Sequence, residues 1–304
     1  MMKLSASISP IWRRYGLNET EIYAAIQKCG FNYAGYDFCA DNAAAWMNKD
    51  AKAWGREMKA QMTDVGAAPV IAHVCGVNPF DGIRSIEYVK QAVLCAGALG
   101  TAHVVIPLGW RANNQRREYE EGNQQYIRQM LRAAEEADVT LLIEHCGPWH
   151  NAHYMHYSIE INRMMDKLGM PERLKANVNV ANMGVAEVPP MEDIVLLGSA
   201  IRNVDAADNF GCMPLGVNPE RENLGLAPMM GYINYDEVMQ GLCDVNYDGF
   251  INLRMDMPRV FEKNSPHYKE ARVAVMPQEL TARLLVWSRH IMEHMLRTYG
   301  CLDA

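Results

Sequence analysis

Short apolar runs alternate with segments of helical period along nearly the whole chain, and this alternation constrains the fold more than any other feature. "KLSASI" opens the series. It leads into "NETEIYAAIQKCG", where Asn18 is placed to cap a helix, Ile22 and Ile26 share a face, and Gly30 is a stop. "NYAGYDF" and "AAPVIAHV" follow, separated by a helical stretch near residues 51–65. "SIEYVKQAVLCAGALG", with Ile86, Val89, Val93 and Ala96 at helical spacing, ends on Gly100 and feeds "AHVVIPLGW". The same pairing recurs through "VTLLIEHCG", "ANVNVANMG", "IRNVDAADN" and "GFINLRMD". The chain closes on a long helix from about Gln278 to Thr298, with Leu280, Leu284, Trp287, Ile291 and Met295 in phase.

Strands that alternate with helices pair in parallel, and near-continuous apolar runs suit strands covered on both faces. About eight such units in 304 residues predict an α/β fold, a (β/α)8 TIM barrel with a long C-terminal helix, with residues 1–304 as one domain. The alternative is a doubly wound open sheet. It calls for a Gly-rich phosphate turn after the first strand, and "SISPIWRRYG" has none. "RANNQRREYEEGNQQ" reads as a polar loop feeding a helix, not as a domain boundary.

With 49% hydrophobic and 21% charged residues, the chain can build a sizeable core and is not globally disordered. A formal net charge of -7 argues against a groove that tracks nucleic-acid phosphates. No apolar run has the length of a signal peptide or a membrane span, so the expectation is a cytoplasmic protein with no membrane partner. The eight cysteines are dispersed with no C-x-x-C pair, which reads as buried thiols, neither a disulfide frame nor a zinc knuckle.

In a barrel of this kind chemistry sits where strands end, on the C-terminal face. Those ends carry Asp37, His73, Trp110, Glu144 with His145, Asn182, Asp205 with Asp208, and Arg254 with Asp256. Singly, each has a plain structural reading: His73 as a hydrogen-bonded core histidine, Trp110 as a packing lid or a sugar-stacking face. Glu144, Asp205 and Arg254 follow apolar runs, where a charge must be paired, hydrated or functional. Their recurrence at one end of successive strands predicts a shared polar pocket. "EHCGPWHNAHYMH" adds His150, His153 and His156, at loop-like spacings without an H-E-x-x-H pair; it reads as a pocket-lining loop, not a zinc site.

From "CGFNYAGYDF" to "YDGFINLRMD" the chain resembles the xylose isomerase-like sugar isomerase and epimerase family, TIM barrels that include tagatose/psicose epimerases, inosose dehydratases and endonuclease-IV-like proteins. The resemblance implies a divalent cation, Mg or Mn, held by a Glu, an Asp, a His and a final Glu, with the two glutamates moving a proton. The first Glu matches Glu144 in "LLIEHCG". The Asp position falls on Asn182, the His closing that segment on Val185, the metal His on Asp205 in "VDAADN", and the final Glu on Arg254. Asp208 and Asn209 keep the second half of the family's H-x-x-D-N. "NLGLAP" puts Asn223 and Gly225 where a substrate segment has Asp and His, while Pro228 stays.

Two site readings follow. In one, Glu144, Asn182, Asp205 and Asp256 offer oxygens to Mg or Mn. In the other no metal is bound, and Arg254 pairs with Glu144 and Asp205 in its place. Catalysis then rests on Glu144, Arg254 and Asp205, with His73, Trp110, His145, Asp208, Asn209 and Asp37 binding substrate. The expected function is a sugar isomerase or epimerase working by proton transfer beside a carbonyl of a small carbohydrate or polyol. The alternative is a non-catalytic carbohydrate-binding barrel or the inactive partner of an active homologue. A homo-oligomer through the C-terminal helix is a further option.

Overall fold

The computed structural model describes the chain except residues 8–9, 14, 112–114, 148–153, 212–224, 256–258, 262–272, 276 and 303–304, and the side chains of 10–11, 259–261 and 273–275. Asp256, His150, His153 and Asn223 therefore lie outside the described residues.

The alternating sequence folds as β1 (Lys3–Ser7), α1 (Pro10–Arg13), α2 (Glu19–Lys28), β2 (Tyr33–Phe38), α3 (Ala43–Trp46), α4 (Ala51–Asp64), β3 (Ala68–Val74), α5 (Ile83–Leu99) and β4 (His103–Val105). It continues with α6 (Arg116–Ala137), β5 (Thr140–Glu144), α7 (Ser158–Lys167), β6 (Leu174–Asn179), α8 (Val180–Val185), α9 (Pro190–Leu197) and β7 (Ile201–Ala206). Last come α10 (Tyr235–Asp244), β8 (Phe250–Leu253), the antiparallel pair β9 (Arg259–Phe261) and β10 (Val273–Val275), and α11 (Gln278–Thr298). Strands β1 to β8 form a closed barrel in sequence order, sealed by parallel pairing of Leu4 with Ile251 and Ala6 with Leu253.

Local chemistry sets the helix ends. Asn18 caps α2 through a capping box with Glu21, at 3.0 and 2.8 Å, satisfying donors the first turn leaves unpaired. Gly100 ends α5 in the left-handed region at φ 94°, where a side chain would be strained. Close helix packing also depends on missing side chains. A Cβ on Gly55 of α4 would come within 2.4 Å of the Ala98 backbone on α5.

The long C-terminal helix occupies the predicted span, but its buried face is rotated by one position. Leu280 and Trp287 are exposed, and the buried residues are Thr281, Leu285, Ser288, Met292, Met295 and Leu296. Small polar Ser288 can sit on the contact face because its hydroxyl donates to Leu284 O at 2.8 Å. Apolarity alone therefore misassigned the stripe.

Inside the barrel, side chains alternate along each strand. One wall is apolar, with Ile71, Val105 and Leu142 in contact. The opposite wall is polar, carrying Ser5, Asn177, Asn203 and Asn252, all buried. Buried amides must be hydrogen-bonded to be tolerated. The bonds they make build the site above them.

Candidate functional site at the barrel mouth

Asp205, next to last in β7, points into the bore, and the polar wall converges on it. Its Oδ2 accepts from His73 Nε2 at 2.7 Å and Asn177 Nδ2 at 2.8 Å. Its Oδ1 accepts from Asn203 Nδ2 at 3.0 Å and Asn252 Nδ2 at 2.8 Å. A second tier secures the donors: Asn203 Nδ2 also reaches Asn177 Oδ1 at 2.7 Å, and Asn252 Nδ2 reaches Ser7 Oγ at 2.8 Å. Burial opposes the charge on Asp205, yet His73, Arg254 and Asn252 hold its pKa well below the usual carboxylate value. The acid is therefore an acceptor throughout, and His73 carries the Nε2 proton.

The other face of His73 meets Asp37, with Nδ1 3.5 Å from Asp37 Oδ1. Arg254, one residue past β8, brings Nε to 3.6 Å from the same oxygen. Both Asp37 oxygens, His73 Nδ1 and Arg254 Nε are buried without a hydrogen-bond partner, so Asp37 and Arg254 meet as an ion pair without a hydrogen bond. Asp37 is fixed through its backbone: its carbonyl accepts from Arg13 Nη2 and Asn42 Nδ2, both at 3.0 Å. Burial alone would lower the Arg254 pKa, but the carboxylates of Asp37, Asp205 and Glu144 hold it well above its ordinary value. The Arg254 side chain keeps 25% of its surface exposed. Its ion-pair partner is Asp37, which corrects the expected pairing with Glu144 and Asp205; among the described residues neither acid lies within ion-pair distance of it.

Glu144 ends β5, partly exposed. Its Oε2 accepts from Asn177 Nδ2 at 2.7 Å and Asn179 Nδ2 at 3.1 Å. Its Oε1 accepts no hydrogen bond among the described residues. One oxygen is clamped and the other is open, at the same barrel mouth as the Arg254 guanidinium, whose charge Glu144 helps to stabilise.

Five expected site residues do not join this cluster. His145, one residue past Glu144, faces the other way; its Nε2 meets Asp193 Oδ2 at 2.8 Å and Ser158 Oγ at 3.0 Å, behind the strands. Asp208 accepts from the backbone N–H of Asn209, Gly231 and Ile233, at 2.7, 2.9 and 3.1 Å. Asn209 donates to Ala181 O at 2.6 Å. Both residues pin the loop after β7. Asn182 lies within α8, because β6 stops at Asn179, and its amide donates to His145 O at 2.7 Å. Trp110 sits in the loop after β4, which ends at Val105, and its backbone is tied to the Asn78 side chain at 2.8 and 3.1 Å.

Asn177, Asn179, Asn203 and Asn252 were missed. Their signal was in the sequence as period-two pairs, Asn177-x-Asn179, Asn203-x-Asp205 and Asn252-x-Arg254, which alternation sends to the same face.

Among the described residues, those at the expected ligand positions do not fit the divalent cation that the family resemblance implies. A carboxylate offers about four lone-pair positions, and all of those on Asp205 are engaged by donors. Asn182 turns its amide away, and Arg254 adds a fixed positive charge. Among the described residues no group of three or more His, Cys, Asp or Glu side chains is arranged to hold a metal. No described helix is long and apolar enough to cross a membrane.

Solved structures share this architecture. A D-psicose 3-epimerase from Clostridium cellulolyticum H10, solved with D-tagatose, superposes with a TM-score of 0.74 at 13% identity, covering 97% of this chain and 99% of that one. A 3-keto-D-glucoside 4-epimerase from E. coli gives 0.68 at 14% identity over 95% and 100% of the two chains. A probable 3-DHS dehydratase from Bacillus anthracis gives 0.68 at 16% identity over 96% and 99%. At these identities the likeness is one of fold. No curated protein matches the sequence significantly. Residues 23–276 match the family described as Xylose isomerase-like TIM barrel, and the chain belongs to that family.

Proposed function

We propose that this barrel is a sugar isomerase or epimerase that acts on a small polyhydroxylated carbohydrate without a metal, using Glu144 as the proton-transferring base and Arg254 as the electrophile. The observation that carries this reading is the asymmetry of Glu144: one oxygen held by Asn177 and Asn179, the other uncommitted, at a barrel mouth that also holds the partly exposed Arg254 guanidinium. Glu144 removes a proton from carbon beside a carbonyl, and Arg254 stabilises the oxygen that becomes an enediolate. Asp37, His73 and Asp205 hold Arg254 in place and carry no proton traffic. Family membership and the epimerases among the structural neighbours support the reaction class.

The test is solvent-deuterium exchange into a panel of ketoses, run before and after chelation. The expected result is exchange with at least one sugar, insensitive to chelation and reduced by about 10²-fold or more in Glu144→Gln, the scale of a lost general base. Exchange that depends on added Mn or Mg overturns the electrophile assignment. Absence of exchange with every sugar favours a second reading, a carbohydrate-binding barrel without catalysis. One observation supports that alternative: the position of the family's second proton-transferring glutamate is filled by Arg254.

A further inference from the structure

We propose that Cys243 and Cys301 form a dithiol site that closes to an intramolecular disulfide when a low-molecular-weight disulfide is supplied. The two residues are 58 positions apart, yet their sulfurs lie 3.2 Å from each other. A disulfide bond is about 2.0 Å long, so closure requires roughly an ångström of approach. Both thiols are free and partly exposed, within reach of a small reagent.

The surroundings hold the pair in register. Cys243 lies in the last turn of α10. Cys301 follows α11 across Gly300, whose φ of 68° turns the chain back, and Cys301 N–H donates to Leu296 O at 2.7 Å. A second tie joins the same two helices: Tyr299 Oη donates to Asp236 O at 3.2 Å and to its Oδ1 at 3.1 Å. The end of α11 is thus fastened to α10 on both sides of Gly300. Nothing in the proposed reaction uses these thiols. The loop they would close contains β8, Arg254 and all of α11.

The reaction is a thiol–disulfide exchange. One protein thiolate attacks the reagent, forming a mixed disulfide and releasing one small thiol. The second protein sulfur then displaces the other small thiol. Two protein thiols and one small disulfide become one protein disulfide and two small thiols, so electrons and protons balance.

The experiment treats the full chain with oxidised glutathione, quenches by alkylation and maps peptides by mass. The expected product is a linked peptide pair joining Cys243 to Cys301, lost on reduction. Because the bridge constrains a long loop of the unfolded chain, thermal unfolding of the oxidised protein is expected to rise by about 5 °C. Cys243→Ser and Cys301→Ser each remove both the link and the increment. Glutathione adducts that persist on either cysteine, a link between two chains, or both thiols remaining free overturn the proposal.

Discussion

His73 Nε2 meets Asp205 Oδ2 at 2.7 Å, and this bond joins β3 to β7, strands on opposite sides of an eight-stranded barrel. It therefore crosses the full bore, with both side chains almost completely buried. Removing one member leaves the other without its partner in a low-dielectric interior, which typically costs about 3–5 kcal/mol. His73→Ala and Asp205→Ala are each expected to lose stability on that scale in urea unfolding. A loss below about 1 kcal/mol in either variant would show that water replaces the missing partner and that the bond does not brace the barrel.

The Asp205 charge gives the protein a characteristic acid response. Its folded pKa is depressed, so its stabilising contribution is present above the ordinary carboxylate pKa of about 3.9 and disappears as pH falls through the lower folded value. Asp205→Asn removes that titration. Urea unfolding between pH 7 and pH 3 is expected to show a roughly constant gap between wild type and variant down to about pH 4, narrowing below it. A gap that narrows between pH 7 and pH 5 would assign the linkage to another group.

Glycine spacing fixes how tightly the outer helices pack. The Cβ of an alanine at Gly55 would meet the Ala98 backbone at 2.4 Å, and one at Gly97 would meet Ala137 O at 2.3 Å. Backbone cannot rotate away, so the helices must separate. Gly55→Ala and Gly97→Ala are expected to cost about 1–3 kcal/mol despite the higher helix propensity of alanine, measured by chemical denaturation. A neutral or stabilising effect would mean that α4 and α5 slide freely over their neighbours.

Hydrophobic periodicity made the barrel legible because each strand and each helix repeats one simple demand, burial on both faces or on one. The site was half legible for a reason of length. Acids and bases at strand ends stood out against apolar runs, which brought Asp37, His73, Glu144, Asp205 and Arg254 into view. A strand end cannot be fixed to one residue from apolarity, and a one-residue shift exchanges the inner and outer faces. That is why His145, outward behind β5, was grouped with Glu144, and why Asn182, in the helix past the end of β6, was read as a strand end. Pairing was illegible for a different reason. Which acid meets Arg254 depends on barrel closure, which places β2 close to β8 through β1.

Glu144 and His145 are sequence neighbours with opposite duties, and that opposition can be measured. Glu144 opens into the mouth, whereas the His145 ring fastens Asp193 of α9 and Ser158 of α7 behind the sheet. Asp193 is buried, and although burial disfavours its charge, bonds from His145 and Ser158 hold its pKa below the ordinary value. His145→Ala removes one partner of that carboxylate and leaves the Ser158 bonds, and is expected to cost about 1.5–3 kcal/mol in unfolding, as for a lost hydrogen bond to a charged group. Sugar exchange or sugar affinity at a temperature where the variant is folded should stay near wild type. Glu144→Gln should do the reverse: it keeps the volume and an acceptor for Asn177 and Asn179, so stability changes by less than about 1 kcal/mol while proton transfer is lost. If His145→Ala abolishes exchange in folded protein, the imidazole reaches the substrate and the outward placement is wrong.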